Sequence, residues 1–97
     1  MLRHVVLFTW TGATDAETRA EIVAALGRLP ADVGGMTAFA VGPDAGLVQG
    51  NASTALVADF PDVDAFRAYA ADPRHLAVIA EHVTPHLAAR SAVQYEV

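Results

Sequence analysis

The opening segment, Leu2–Trp10, is apolar on both faces of the strand that it is predicted to form. Its β-branched and aromatic residues favour a strand, and side chains alternate between the two faces of a strand. The alternation gives two apolar sets: Leu2, Val6, Phe8 and Trp10 on one face, and Val5 and Leu7 on the other. The helices of one short chain can cover only one face of an antiparallel sheet. The second face needs an identical sheet from another copy, so the pattern predicts a homodimer.

The next segment predicts a helix. Thr14-Asp15-Ala16-Glu17 reads as a capping box with Thr14 as the N-cap, which opens a helix running to about Leu29. One buried face of that helix is formed by Ile22, Val23, Leu26 and Leu29. Pro30 and the pair Gly34-Gly35 predict its end.

Two strands with a long connection are predicted next, over Met36–Val41 and Ser53–Phe60. The connection, Gly42–Ala52, contains three glycines and no lysine, and no helix follows it, so it is not a phosphate-binding loop. It is either a flap over a site or a flexible hairpin. We expect it to be the most mobile internal segment.

The last third of the chain predicts two helices and a closing strand. Asp62 caps a short helix whose inner side is formed by Val63, Phe66, Tyr69 and Ala70. A second helix runs from Pro73 to about Leu87, with Pro85 disturbing its last turn. The segment 90–97 is a strand whose one face carries Ser91, Val93, Tyr95 and Val97. The order β-α-β-β-α-α-β predicts one ferredoxin-like α+β domain over residues 1–97, with a four-stranded antiparallel sheet.

The composition excludes several classes of protein. The net charge is −5 and the six basic residues are scattered arginines, which argues against binding nucleic acid or an anionic membrane. The chain has no cysteine and no lysine, so it has no disulfide, thiolate nucleophile or Schiff-base amine. No stretch approaches the roughly 20 apolar residues of a transmembrane helix. We therefore expect a cytoplasmic protein whose chemistry uses His, Tyr, Asp or Glu.

The junction between the last two predicted helices brings a tyrosine and a histidine together. Asp72 is a favoured N-cap and Pro73 a favoured first helical residue, so the boundary between the helices is well defined. His75 lies in the first turn, where the helix dipole favours a neutral imidazole that can accept a proton. Tyr69 lies at the end of the preceding helix and could place its hydroxyl near the same point.

These segments resemble the stress-responsive A/B barrel (Dabb) family of small dimeric α+β barrel proteins. The matching residues are the opening Arg3-His4-Val5-Val6-Leu7-Phe8, the central Tyr69-x-x-x-Pro73-x-His75, Pro85 with Leu87, and the closing Ala92-Val93-Gln94-Tyr95-Glu96-Val97. The resemblance implies a homodimer in which two sheets face each other. The family includes a polyketide cyclase that performs an aldol condensation without a cofactor, using a tyrosine and a histidine that match Tyr69 and His75. That cyclase has a histidine where this chain has Asp72.

The resemblance implies a catalytic pair, Tyr69 and His75, and a substrate-binding wall. His75 would act as general base and Tyr69 would stabilise an oxyanion, but each also has a structural interpretation, through a backbone hydrogen bond or through packing. His4 shares its face of the sheet with Val6 and Phe8, and would line the same pocket. Leu56 is either a core or dimer-contact residue or a further part of this apolar wall.

A metal site is not predicted, although the last helix has several histidines. His75, Ile79, His82 and His86 share one stripe of that helix. A spacing of four residues, as between His82 and His86, can bring two imidazoles to one metal, but no third ligand has an obvious place. We therefore expect a solvated edge beside the apolar face of the helix.

Three functions are compatible with the sequence. The first is a cofactor-free, polyketide cyclase-like enzyme that acts on a small apolar carbonyl compound by Tyr/His acid–base chemistry. The second is a non-enzymatic stress-responsive or ligand-binding dimer in which the Tyr–His pair is structural. The third is a monooxygenase-like dimeric α+β barrel protein, which the Dabb-like strands and central motif disfavour.

Overall fold

The computed structural model describes residues 1–97 as a ferredoxin-like α+β fold. Its elements, in chain order, are β1 Leu2–Trp10, α1 Ala16–Gly27, a short α2 Leu29–Asp32, β2 Ala38–Pro43, β3 Thr54–Phe60, α3 Val63–Ala71, α4 Pro73–Val78, a π-helical turn Ile79–Val83, a 3₁₀ turn Thr84–His86 and β4 Leu87–Glu96. The predicted order of helices and strands is confirmed, with the short α2 as an addition that was not predicted. No helix is long and apolar enough to cross a bilayer.

The four strands form one antiparallel sheet in the order β2-β3-β1-β4. β1 is therefore central, paired with β3 from Leu2↔Phe60 to Phe8↔Thr54 and with β4 along its whole length. The register with β4 shifts once, between Thr9 and Trp10. The first and last strands of the chain thus lie side by side in the sheet.

The prediction for the start of α1 is wrong in detail. The N-cap is Asp15, whose carboxylate accepts a hydrogen bond of 2.8 Å from the Thr18 amide. Thr14 is not the cap, because its hydroxyl hydrogen-bonds with that of Thr11 at 2.8 Å. The helix also ends earlier than predicted, at Gly27, and Pro30 lies in the first turn of α2 instead of ending α1.

Other boundaries differ by a few residues. β2 begins at Ala38 instead of Met36, and β4 begins at Leu87 instead of Arg90 because β1 pairs with it as far as Trp10. The helix predicted from Pro73 to about Leu87 is divided into α4, the π-helical turn and the 3₁₀ turn that contains Pro85. Val63 was expected on the inner side of α3, but it is exposed in its first turn.

The two faces of the sheet have different surroundings. The helices pack on the face that carries Val6, Phe8 and Trp10, each only 3% exposed, which we call the covered face. The opposite, bare face has no helix on it. It carries Arg3, Val5 and Leu7 from β1, paired with Tyr95, Val93 and Ser91 from β4. Leu7 is 42% exposed and Val93 is 53% exposed.

Candidate functional site

A cavity of about 290 Å³ lies between the covered face and the last two helices. All six residues predicted for the site line it: His4, Val6, Phe8, Leu56, Tyr69 and His75. Its other lining residues are mostly apolar and come from α1, α2, α3, α4, the π-helical turn and β4. The fold thus brings the predicted residues together, while their roles stay a prediction.

A larger hollow of about 570 Å³ lies beside α1 and the β2–β3 connection, away from these residues. Its charged groups are already engaged within the protein. Arg19 donates to the Thr14 carbonyl at 3.0 Å, and Asp44 accepts from the Gly46 amide at 3.0 Å and from the Asn51 side chain at 3.1 Å. We therefore favour the smaller cavity, which has polar atoms free to meet a ligand.

His75 presents one unoccupied ring nitrogen in the cavity. Asp72 caps α4 by accepting a 2.8 Å hydrogen bond from the Arg74 amide, and this cap sets the position of His75 in the first turn. Nδ1 of His75 lies 3.2 Å from the Ala70 carbonyl oxygen. A carbonyl only accepts, so Nδ1 carries the proton and the Nε2 lone pair stays free. Burial lowers the pKa of His75, opposed by the Ala70 bond and by Asp72, so the neutral base predominates at pH 7.

Tyr69 supplies a hydroxyl beside that base. The residue is only 3% exposed, and its ring centroid lies 4.4 Å from that of His75 and 5.1 Å from that of Phe60. No protein group forms a hydrogen bond with the Tyr69 hydroxyl. Every fully buried side-chain oxygen of the protein has a hydrogen-bond partner, so the Tyr69 hydroxyl is not fully buried and keeps some accessible surface. Burial raises the pKa of Tyr69 to about 12, so the hydroxyl remains protonated and can donate a hydrogen bond.

His4 has the opposite tautomer from His75. The Gln94 side-chain amide donates to its Nδ1 at 2.9 Å, so neutral His4 carries its proton on Nε2. Its ring lies 4.9 Å from that of Phe66. Burial, with smaller contributions from Arg90 and His75, lowers the pKa of His4 to about 4. His4 is thus a neutral hydrogen-bond donor at pH 7.

The arrangement suits proton transfer in an apolar space. The predicted site residues provide one acceptor, Nε2 of His75, and two donors, the Tyr69 hydroxyl and Nε2–H of His4. No three His, Cys, Asp or Glu side chains lie close enough together to hold a metal ion. Of the predicted histidine stripe, only His75 and Ile79 line the cavity. His82 lies outside it, with its Nε2 3.9 Å from the Glu81 carboxylate.

Two polar residues of the cavity were missed in the sequence. Arg90 and Gln94 line it from β4, where they pair with Phe8 and His4 across the sheet. The alternation that placed Ser91, Val93 and Tyr95 on one face of the closing strand also places Arg90 and Gln94 on the other. That pattern could have identified them, had the strand been paired with β1 in this register.

The fold and the cavity define a ferredoxin-like α+β protein with neutral acid–base groups in an apolar cavity on the covered face of its sheet. The chain matches the Stress responsive A/B Barrel Domain family (Dabb) over residues 2–97 and belongs to it.

Solved structures agree with this assignment. A dimeric ferredoxin-like protein of unknown function from Thermobifida fusca is 38% identical, with a TM-score of 0.89 over 99% of this chain and 90% of that one. A hydroxynitrile lyase from Passiflora edulis is 20% identical, with a TM-score of 0.85 over 99% and 92% of the two chains. A Dabb family protein from Mesorhizobium loti is 18% identical, with a TM-score of 0.82 over 99% and 95%. No curated protein matches the sequence.

Proposed function

We propose that this protein is a homodimeric, cofactor-independent enzyme of the polyketide cyclase-like type, acting on a small apolar carbonyl compound. The observation that carries the proposal is the free Nε2 of His75 beside the free Tyr69 hydroxyl in an apolar cavity. A volume of about 290 Å³ is at the small end of ligand sites, which suits a small substrate.

The reaction begins with His75. Its Nε2 takes a proton from the carbon next to a carbonyl group, and an enolate forms. The Tyr69 hydroxyl donates a hydrogen bond to the enolate oxygen, and Nε2–H of His4 supplies a second donor in the same cavity. The low polarity of the lining strengthens these bonds, because water does not compete for the charge.

The carbon–carbon bond then forms within one substrate molecule. The enolate carbon attacks a second carbonyl carbon of the same chain, and the proton on His75 passes to the resulting alkoxide. Loss of water from this aldol product gives a cyclic enone, and enolisation of the remaining carbonyl groups of a polyketide chain makes the ring aromatic. Apolar walls formed by Val6, Phe8 and Leu56 hold the chain folded, which converts the attack into a favourable intramolecular step.

The dimer is part of the proposal. Leu7, Val93 and Tyr95 leave a bare apolar face on a central and an edge strand. The 38% identical structure from Thermobifida fusca is a dimeric ferredoxin-like protein. A second sheet against the bare face would bury these side chains, and the covered face with its cavity would remain with each subunit.

Proton abstraction can be measured without knowing the natural substrate. Incorporation of deuterium from D₂O into 2-heptanone, followed by NMR, reports removal of a proton next to a carbonyl group. We expect His75→Gln to slow this exchange by about 100-fold or more, and Tyr69→Phe by about 10- to 100-fold. His82→Gln is the matched control, because His82 follows on the same helical segment outside the cavity. It should leave the rate unchanged.

The contrary outcome is equally clear. If the wild-type protein does not accelerate exchange in 2-heptanone or in a panel of apolar diketones, the enzymatic proposal is wrong. Saturable binding of the same ketones without exchange would then support the second candidate, a ligand-binding dimer, which the mostly apolar lining of the cavity also favours.

The related hydroxynitrile lyase fold suggests one further substrate for the panel. Cleavage of a hydroxynitrile removes the hydroxyl proton and breaks the bond between the hydroxyl-bearing carbon and the nitrile carbon. The first carbon becomes a carbonyl carbon and cyanide leaves, so this reaction also needs a base. Release of cyanide from mandelonitrile, lost in His75→Gln and kept in His82→Gln, would assign the same groups to that reaction.

A further inference from the structure

Arg90 brings the only formal charge to the lining of the cavity. The sixteen lining residues include no Asp, Glu or Lys, although the chain has eleven acidic residues and a net charge of −5. No carboxylate of this acidic protein therefore lines the cavity, whereas one guanidinium does.

The other arginines differ from Arg90 in one of two ways. Arg3 and Arg74 are ion-paired with carboxylates at 2.8 Å, and Arg19 donates to backbone carbonyls. The remaining two, Arg28 and Arg67, are exposed on helices or turns and line neither this cavity nor the larger hollow beside α1. Arg90 takes part in no ion pair of the protein and does line a cavity.

The register of β4 places Arg90 at the mouth of the cavity. It lies on the edge strand of the sheet, opposite Phe8, and its side chain is exposed. Ala92, opposite Val6, is the next residue on the same face, and its small side chain leaves room between Arg90 and Gln94. A ligand can thus place its apolar part against Val6 and Phe8 while a charged end remains at the mouth.

We infer that Arg90 anchors a carboxylate of the substrate, so that the substrate class is a small apolar keto acid instead of a neutral ketone. This inference deepens the proposed function and rests on it for the identity of the reacting carbonyl group. A guanidinium matches a carboxylate through two parallel hydrogen bonds, which orient the ligand as well as hold it.

Binding of the carboxylate also acts on the base. The charge of Arg90 disfavours protonation of both His4 and His75, while Asp72 on α4 favours it for His75. A bound carboxylate offsets the guanidinium charge, so His75 accepts the substrate proton more readily in the complex than in the free protein. The anchor therefore couples substrate binding to the strength of the base.

The test compares 7-oxooctanoate with its methyl ester, which has the same apolar chain and ketone but no charge. Binding at pH 7 can be followed calorimetrically. We expect wild-type protein to bind the acid at least tenfold more tightly than the ester. Arg90→Met should remove this preference, because it should weaken binding of the acid at least tenfold and binding of the ester less than twofold. Arg67→Met is the matched control, because it removes an exposed arginine outside the cavity, and it should behave as wild type.

Each outcome decides between the two proposals. Equal binding of acid and ester by wild type, or no binding of either at millimolar concentration, overturns the role of Arg90. If deuterium exchange nevertheless occurs, the proposed function survives that result. A preference for the acid that depends on Arg90, together with no exchange in any keto compound, supports the anchor and contradicts the enzyme. Unchanged thermal melting of Arg90→Met excludes misfolding as the cause.

Discussion

The covered and bare faces of the sheet are formed by the same strands but serve different purposes. On the covered face, β1 side chains such as Phe8 and Trp10 are 3% exposed because helices pack on them. On the bare face, Leu7 of the same strand is 42% exposed and its cross-strand neighbours remain open. The difference teaches that one face completes the fold of the single chain, whereas the other stays apolar and uncovered, and in the proposed dimer it would contact a second copy.

The polar groups of the two faces differ in the same way. On the bare face, Arg3 donates two hydrogen bonds, of 2.8 and 2.9 Å, to the carboxylate of Asp59 and holds its pKa below the ordinary value. The covered face instead holds His4, neutral because burial lowers its pKa to about 4. The charged pair on the bare face thus stabilises itself through its own hydrogen bonds, whereas the histidines inside the cavity are kept neutral by burial.

The largest expected effect on stability comes from removing a buried side chain beneath the covered face. Phe60 is fully buried on β3 and contacts the rings of Phe66 and Tyr69. Phe60→Ala should lower the free energy of unfolding by about 3–5 kcal/mol, because it removes apolar contacts and leaves a cavity. Urea unfolding measures this loss. Leu47→Ala, at an 86% exposed site in the β2–β3 connection, should change stability by less than about 0.5 kcal/mol. A loss below 1 kcal/mol for Phe60→Ala would contradict our account of this face.

The next largest effect is expected when a charge is placed on the bare face, where it should weaken the proposed dimer. Val93→Asp places a carboxylate in the proposed dimer contact, where its desolvation costs several kcal/mol. We expect the dimer dissociation constant to rise at least about 100-fold, with the subunit fold retained, as measured by analytical ultracentrifugation and circular dichroism. Val48→Asp makes the same change at a 65% exposed valine outside this face and should leave the dimer intact. A wild-type protein that sediments as a 10.1 kDa monomer at micromolar concentration would refute the dimer.

A smaller effect on stability is expected when the pH is lowered, through His4 on the covered face. The pKa of His4 is lowered from 6.5 to about 4 in the folded protein. Below pH 6.5 the unfolded chain binds the proton and the folded chain does not, so stability falls as the pH decreases towards 4. We expect His4 to contribute about 2 kcal/mol to this loss between pH 7 and pH 4.5.

The variant His4→Gln cannot titrate, so it isolates that contribution. The difference in the free energy of unfolding between wild type and His4→Gln should therefore shrink by about 2 kcal/mol as the pH falls from 7 to 4.5. His86→Gln, which changes a histidine outside the cavity, should follow the wild type over the whole range. Parallel curves for wild type and His4→Gln would show that burial does not disfavour the charged His4.

The smallest expected difference concerns mobility, and it needs no mutation. Within the β2–β3 connection, the side chains of Leu47 and Val48 are exposed. The hydrogen bonds within this segment involve only Asp44, Gly46, Asn51 and Ser53. Hydrogen exchange should therefore be near its intrinsic rate at residues 47–50. It should be at least about 1,000-fold slower in β1, which is paired on both edges. Slow exchange in the connection would make it a fixed part of the hollow beside α1 instead of a mobile segment.

Local patterns in the sequence predicted much of the fold and part of the site. β1 was predicted with its observed bounds, and Asp62 and Asp72 cap the helices that they were expected to cap. Capping and alternation depend on neighbours a few residues apart, so a single sequence records them. The start of α1 shows the limit of such rules, because Thr14 and Asp15 are both good caps. The hydrogen bond between the Thr11 and Thr14 hydroxyls decides between them, because it leaves the cap position to Asp15.

The sequence by itself indicated part of the cavity: a central strand with two apolar faces, and a tyrosine and a histidine on either side of a helix boundary. Only the tertiary structure decided how those groups are bonded and charged. The proton of His4 is placed by Gln94, a partner 90 residues away, and the charge at the mouth of the cavity comes from Arg90 on the same strand. Strand pairing brings these groups together, and burial then makes His4 and His75 neutral. Both depend on contacts between distant parts of the chain, which no local pattern records.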